Sequence, residues 1–211
     1  MKQYRNIILI TSILTVVPII AGILLWDKMP DQVVTHWGSD NVANGWSSKT
    51  FAVFGIPLML LAVHLFTVFI TLNDPKKKNI GSKMLSMVFW IVPVISIITC
   101  LSIYGIAVGL NINIGFVINI LIGALFIVIG IYMPSIKQNY TVGIKLPWTL
   151  NNEENWDKTS KFSGKLWVAG GVSALVNSYF QSTFILLIII TVISVIPVIY
   201  SFLLYKKYDS H

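Results

Sequence analysis

The stretch NIILITSILTVVPIIAGILLW, residues 6–26, holds 21 consecutive uncharged residues, and its reading decides the fold class. At a rise of about 1.5 Å per residue, such a run matches the roughly 30 Å hydrocarbon core of a bilayer. Lys2 and Arg5 precede it as they would a signal peptide. The run is nevertheless longer than the roughly 7–15 residues of a signal-peptide core, and no small-residue cleavage site follows, so it reads as a retained span. The whole chain agrees: 211 residues, 55% hydrophobic, 11% charged, with a mean hydropathy of +0.79. Soluble domains carry about 25% charged residues. A soluble enzyme, a nucleic-acid-binding domain and a disordered chain are thereby excluded. The net charge of +7 fits basic cytoplasmic loops. The single cysteine, Cys100, lies inside an apolar run.

Working outward, the sequence predicts an all-α integral membrane protein. It is a bundle of six transmembrane helices over 6–26, 51–73, 84–110, 114–134, 164–181 and 184–205, and residues 1–211 form one polytopic domain. With both termini cytoplasmic, thirteen of the fifteen basic residues fall on inner segments, and only Lys28 and Lys49 fall outside. The positive-inside rule selects this orientation in a multi-pass plasma membrane protein.

Inside the spans, Pro18, Pro57, Pro93 and Pro197 each free a carbonyl that neighbouring helices must satisfy. Gly105 and Gly109, and then Gly115, Gly123, Ala124 and Gly130, offer small residues for close helix packing. No acidic or basic side chain lies at the centre of a span, which argues against a charge-relay pump. His64, Thr67 and Thr71 form an i, i+3, i+7 polar stripe on one helix face. Hydrolase, metalloprotease, nucleotide and dinucleotide motifs are missing. His36 with Asp31 and Asp40 lacks metal-ligand spacing. The expectation is a non-enzyme with no cofactor, no metal site and no direct nucleic-acid contact.

Two long connections remain. The outer one, 27–50, reads DKMPDQVVTHWGSDNVANGWSSKT and has a net charge of −1. Asn44-Gly45 is a tight-turn signal, Pro30 fixes the exit from the first helix, and Asn41 suits a left-handed position. A slightly acidic surface bearing Trp37 and Trp46 suits an amphipathic or cationic peptide. The inner connection, 135–163, reads SIKQNYTVGIKLPWTLNNEENWDKTSKFS. Its latter part predicts a short surface helix capped by Asn151 or Asn152, with Glu153 and Glu154 in the first turn.

These loops resemble the SdpI family of bacterial immunity proteins, together with the amino-terminal domain of unknown function often paired with it. In the outer region the likeness is carried by Met29-Pro30, His36-Trp37, Asn44-Gly45-Trp46, Ser48-Lys49 and Pro57. In the inner region it is carried by Gly130, Met133-Pro134, Asn139, Gly143-Ile144-Lys145, Pro147-Trp148-Thr149-Leu150 and Trp156. Lys145 stands where the family commonly has arginine, and Ser160 where it often has histidine. The resemblance implies a membrane protein that protects its cell from a secreted, membrane-active peptide toxin. In the best-known system of the family it also senses the toxin and captures a cytoplasmic repressor. With the outer loop expected to meet toxin and the inner loop to hold a partner, toxin recognition is expected of Pro30, His36, Trp37, Gly45 and Trp46. Partner docking falls to Asn139, Gly143, Lys145, Pro147, Trp148, Thr149 and Trp156. The alternative is a small transporter or channel with a polar path near His64.

Overall fold

The computed structural model describes residues 4–209, and Lys2 lies outside them. Among the described residues, five helices are long and apolar enough to cross a membrane: Arg5–Leu24, Phe51–Leu72, Ser82–Ala107, Ile114–Ser135 and Thr183–Lys207. They coincide with five of the six expected spans. The sixth, 164–181, is the second half of a 28-residue helix, Glu153–Phe180. The expected short surface helix is therefore the first half of that same helix. Nothing between the two halves breaks it, and Asn152 caps its start by accepting from Asn155 N.

The expectation of an all-α chain is corrected by a hairpin in the outer connection. Strands β1 (Gln32–Trp37) and β2 (Ala43–Ser48) pair antiparallel, with Val34 opposite Trp46 and His36 opposite Gly45. Val33, Val34 and Thr35 are β-branched and favour extended backbone. The chain reverses at 38–42 and not at Asn44-Gly45: Gly38 N donates to Val42 O, and Asn41 takes φ +60°. Asn44 and Gly45 lie within β2. A Cβ on Gly45 would come within 2.8 Å of His36 Cβ, so glycine here serves a close cross-strand approach.

The chain divides into two compact units, Met1–Leu72 with Ser86–Val117, and Asn73–Leu85 with Ile118–His211. In the first, α1 (Arg5–Val16) breaks at Pro18 into α2 (Pro18–Leu24). The hairpin follows, then a π-helical turn over Phe51–Gly55 and α3 (Ile56–Leu72). Most of α4 (Ser82–Ala107) completes this unit. Pro57 has no N–H to give to the carbonyls of the preceding π-helical turn. The Tyr104 hydroxyl fills that role, lying 3.4 Å from Val53 O and 3.3 Å from Ala52 O. Met29, Val33, Ala52, Val53, Cys100, Ile103 and Tyr104 form the core beneath the hairpin.

The second unit holds most of α5 (Ile114–Tyr132), the single turn α6 (Pro147–Leu150), α7 (Glu153–Phe180) and α8 (Thr183–Asp209). Gly123 and Gly130 of α5 face Gly171 and Gly164 of α7. A Cβ on any of the four would lie within 2.8 Å of the carbonyl oxygen of its opposite number. Small residues permit this backbone contact. Pro197 frees the carbonyl of Ile193, and Trp167 Nε1 donates to it at 3.1 Å.

Candidate functional site

In the first unit the hairpin is a built surface. Lys49 ties its base together: Nζ lies 3.4 Å from Trp26 O, Met29 O and Asp31 Oδ1, and sits over the Trp26 ring. A cation there meets the carbonyls that end the first span. Ser48 closes β2 and accepts Phe51 N at 3.2 Å, starting the next helix. Asp40 Oδ1 accepts Val42 N, fixing the hairpin turn, and Gly115 leaves room for the Asn41 side chain. Across the strands Thr35 and Ser47 share a hydrogen bond of 2.9 Å.

The residues singled out for recognition separate on this scaffold. Trp46 is 56% exposed, and the alternation of β2 sets it on one face with Asn44 and the neighbouring Val42. His36 is exposed beside them, its Nδ1 2.6 Å from Asn44 Oδ1. Trp37 turns the other way and packs against the core. Pro30 is exposed at the entry to the hairpin. Asp27, Asp31 and Asp40 are exposed along the same connection with Lys28, and Asp31 pairs with Lys49, so its outer charge is slightly acidic.

In the second unit the inner loop is knotted from within. Asn139 is fully buried and spends its whole carboxamide: Oδ1 accepts Thr141 N and Val142 N, while Nδ2 donates to Lys137 O and Val142 O. Thr149 Oγ1 accepts Leu146 N and reaches Ile144 O at 2.7 Å. Trp156, 1% exposed, donates to Ile136 O at 2.7 Å. Gly143 lies against its ring with φ +118°, and a Cβ there would meet the indole at 2.9 Å. Trp148 donates to Ser201 Oγ at 3.0 Å and stacks on Tyr205. Asn139, Thr149 and Trp156 thus hold the loop's shape from inside, whereas Lys145 and Pro147 are exposed on it.

Residues that the sequence reading missed complete this knot. Asp74 is buried; it accepts Lys76 N through Oδ1, and Tyr140 N and the Thr141 hydroxyl through Oδ2. Gln138 accepts from Lys76 Nζ and donates to Thr149 O. Ser201 takes both Trp148 and, through its carbonyl, Asn155 Nδ2. Their only sequence signal was that polar residues stand beside apolar runs, which is common at span ends.

The three polar residues of the intramembrane stripe bond to groups on their own helix or on α1. His64 is fully buried and bonds Thr11 Oγ1 through Nε2 at 3.1 Å. Thr67 and Thr71 turn their hydroxyls back onto Val63 O and Thr67 O of their own helix.

The two built regions coincide with two family models. Residues 13–61 match a domain of unknown function, DUF1648. Residues 135–201 match the SdpI/YfhL protein family. Over 206 residues the chain is 29% identical to the immunity protein SdpI of Bacillus subtilis (strain 168), covering 94% of this chain and 96% of that protein. The chain is SdpI-like. No solved structure matches it. The likeness to an immunity protein thus runs over nearly the full length of both chains.

Proposed function

We propose that the protein protects its cell by engaging a secreted, membrane-active peptide toxin at the outer hairpin, with Trp46 as the aromatic anchor. The observation that carries this reading is the exposure of Trp46 on a hairpin fixed at both ends. A large, half-exposed indole on a rigid base is the type of residue that dominates recognition interfaces. Val42 and the His36–Asn44 pair flank it, and the acidic rim complements a cationic or amphipathic peptide.

The reading requires the hairpin to face outward, and so six spans with cytoplasmic termini. The charge asymmetry supports this, and so does α7, which wears its polarity inside. Its buried stripe is Ser163, Gly164, Gly170, Gly171, Ala174, Asn177 and Ser178, while Val172, Val176, Tyr179 and Phe180 face outward. That inversion suits a helix surrounded by lipid. At about 1.5 Å per residue, the stretch 164–181 reaches about 27 Å, near the bilayer core thickness. The inner loop then lies in the cytoplasm of a plasma membrane protein. There Lys145 and Pro147 present a surface for a repressor in a sensing role.

The test is survival of a toxin-sensitive bacterium expressing the protein and challenged with a panel of Sdp-type peptides, including any encoded beside this gene. Wild type should raise the lethal dose at least tenfold, and Trp46→Ala at equal membrane abundance should return it to the control value. Protection that persists undiminished in Trp46→Ala would remove the hairpin from the mechanism. Separately, Lys145→Glu should release a membrane-recruited repressor while leaving protection intact; the opposite pattern would contradict the division between loops.

A further inference from the structure

The outward face of α7 changes character along its length. Lys158, Lys161 and Lys165 are exposed on it, followed at helical spacing by Ala169, Val172 and Val176. Lys158 is neutralised by Glu154 at 2.7 Å. Lys161 and Lys165 have no hydrogen bond or ion pair among the described residues. Asp157, the acid one turn before Lys161, lines a polar pocket with Asn79 and Lys137 instead. No other acidic residue follows until Asp209, and α5 contains none.

The depth of this lysine pair follows from what its helix touches. Gly164 packs on Gly130 of α5, so Lys165 is level with Val128 and Ile131, both exposed. Phe162 stacks on Tyr200, and Trp167 donates to Ile193 O, so the same turns of α7 run beside the α8 stretch 193–200. Val195, Ile196 and Ile199 are exposed there, and Phe202 and Leu203 follow before the first lysine of α8, Lys206. Both α5 and α8 are long and apolar enough to cross a membrane. Two unpaired ammonium groups therefore stand at a depth where both neighbouring helices present apolar side chains to lipid. A charge at that depth is unfavourable unless it reaches an anion. The Cα–Cβ bonds lean towards the polar, N-terminal end of α7, and the long stems carry the ammonium groups further that way, to the level of the phosphates. One turn apart, their Cβ atoms are about 5–6 Å from each other, close enough to bracket a single phosphate.

We infer that Lys161 and Lys165 form a binding site for the phosphate of an anionic phospholipid, whose acyl chains lie along Ala169, Val172 and Val176. Charge complementarity selects this occupant. Phosphatidylglycerol carries a net negative charge and no ammonium, whereas phosphatidylcholine brings a cation of its own beside its phosphate. The site does not rest on the toxin reading, because the contacts and exposed faces of α5, α7 and α8 define it.

The test is native mass spectrometry of the delipidated full-length protein, titrated with phosphatidylglycerol or phosphatidylcholine, with and without inorganic phosphate. The first phosphatidylglycerol should bind at least about 5-fold more tightly than phosphatidylcholine. The double variant Lys161→Gln/Lys165→Gln should weaken phosphatidylglycerol binding by about 5- to 30-fold, the range expected when one or both lysines near an anionic surface are lost. Lys161→Arg/Lys165→Arg should retain it. Lys206→Gln/Lys207→Gln removes equal charge at the end of α8 and should cost less than about 2-fold, since no unpaired α7 lysine is touched. Equal affinity for the two lipids would hand the pair to an acidic protein partner and overturn the inference. So would undiminished binding by the α7 glutamine variant or an equal loss in the α8 control. Displacement of the lipid by inorganic phosphate would make the ligand a free anion, and would overturn it too.

Discussion

Trp37 and Trp46 stand on the same hairpin and look alike in the sequence, yet one packs against the core and the other is exposed. Their substitutions should separate accordingly. Trp46→Ala removes a recognition surface and should leave thermal stability within about 0.5 kcal/mol of wild type, as surface changes usually do. Trp37→Ala removes packing and should lower stability by about 1–3 kcal/mol, read as a fall in the melting temperature of the purified protein. On the inner loop, Gly143→Ala should destabilise by about 1–3 kcal/mol, because φ is positive there and the Trp156 ring occupies the space of a side chain. A melting temperature unchanged by Gly143→Ala would contradict the described contact. The tryptophans of the inner loop mark what a sequence can and cannot disclose. Trp148 and Trp156 stand out by residue type, but their partners, Ser201 Oγ and Ile136 O, lie far along the chain. Whether an indole recognises or packs is decided by those neighbours. Asp74 was invisible for the same reason, its partners Tyr140 and Thr141 being on another connection.

At the scale of elements, the apolar runs were legible because a bilayer imposes length and composition on any helix that spans it. Proline-freed carbonyls were legible too, and the structure supplies donors beside them: Tyr104 at Ala52 O and Val53 O, and Trp167 at Ile193 O. Tyr104→Phe should therefore weaken the unit beneath the hairpin by about 1–3 kcal/mol, the consequence of leaving a buried acceptor unmet. The hairpin was not legible as sheet, since the turn signal Asn44-Gly45 falls inside β2 and not at the reversal, where Asn41 takes the positive φ. Helix α7 was read as two pieces because its first half is charged and its second apolar. A continuous backbone ladder needs no uniform composition, only the absence of a breaker. The glycine faces make a further prediction. Gly164→Leu forces a side chain against Gly130 O and should deplete folded protein in detergent extracts, whereas Val176→Leu, on the outward face of α7, should not. Equal yields from both would mean that α5 and α7 do not meet as described.

At the scale of the molecule, a hairpin on one connection and a knotted loop on another give the chain two different built surfaces, and the two family models fall on them separately. The proposed topology sends these surfaces to opposite sides of the membrane. In a Cys100→Ala background, cysteines placed at Ser39 and Ser182 should react with an impermeant maleimide on whole cells. A cysteine at Tyr140 should react only after permeabilisation. Labelling of position 140 from outside would invert the orientation and remove the hairpin from the toxin's reach. The most direct measurement places a photo-crosslinking residue at position 46, with position 140 as the control, in cells exposed to the protective-range dose of an Sdp-type peptide. The account predicts a toxin adduct from position 46 and none from position 140. Adducts from position 140 alone, with position 46 silent in a protein that still protects, would contradict recognition at the outer hairpin.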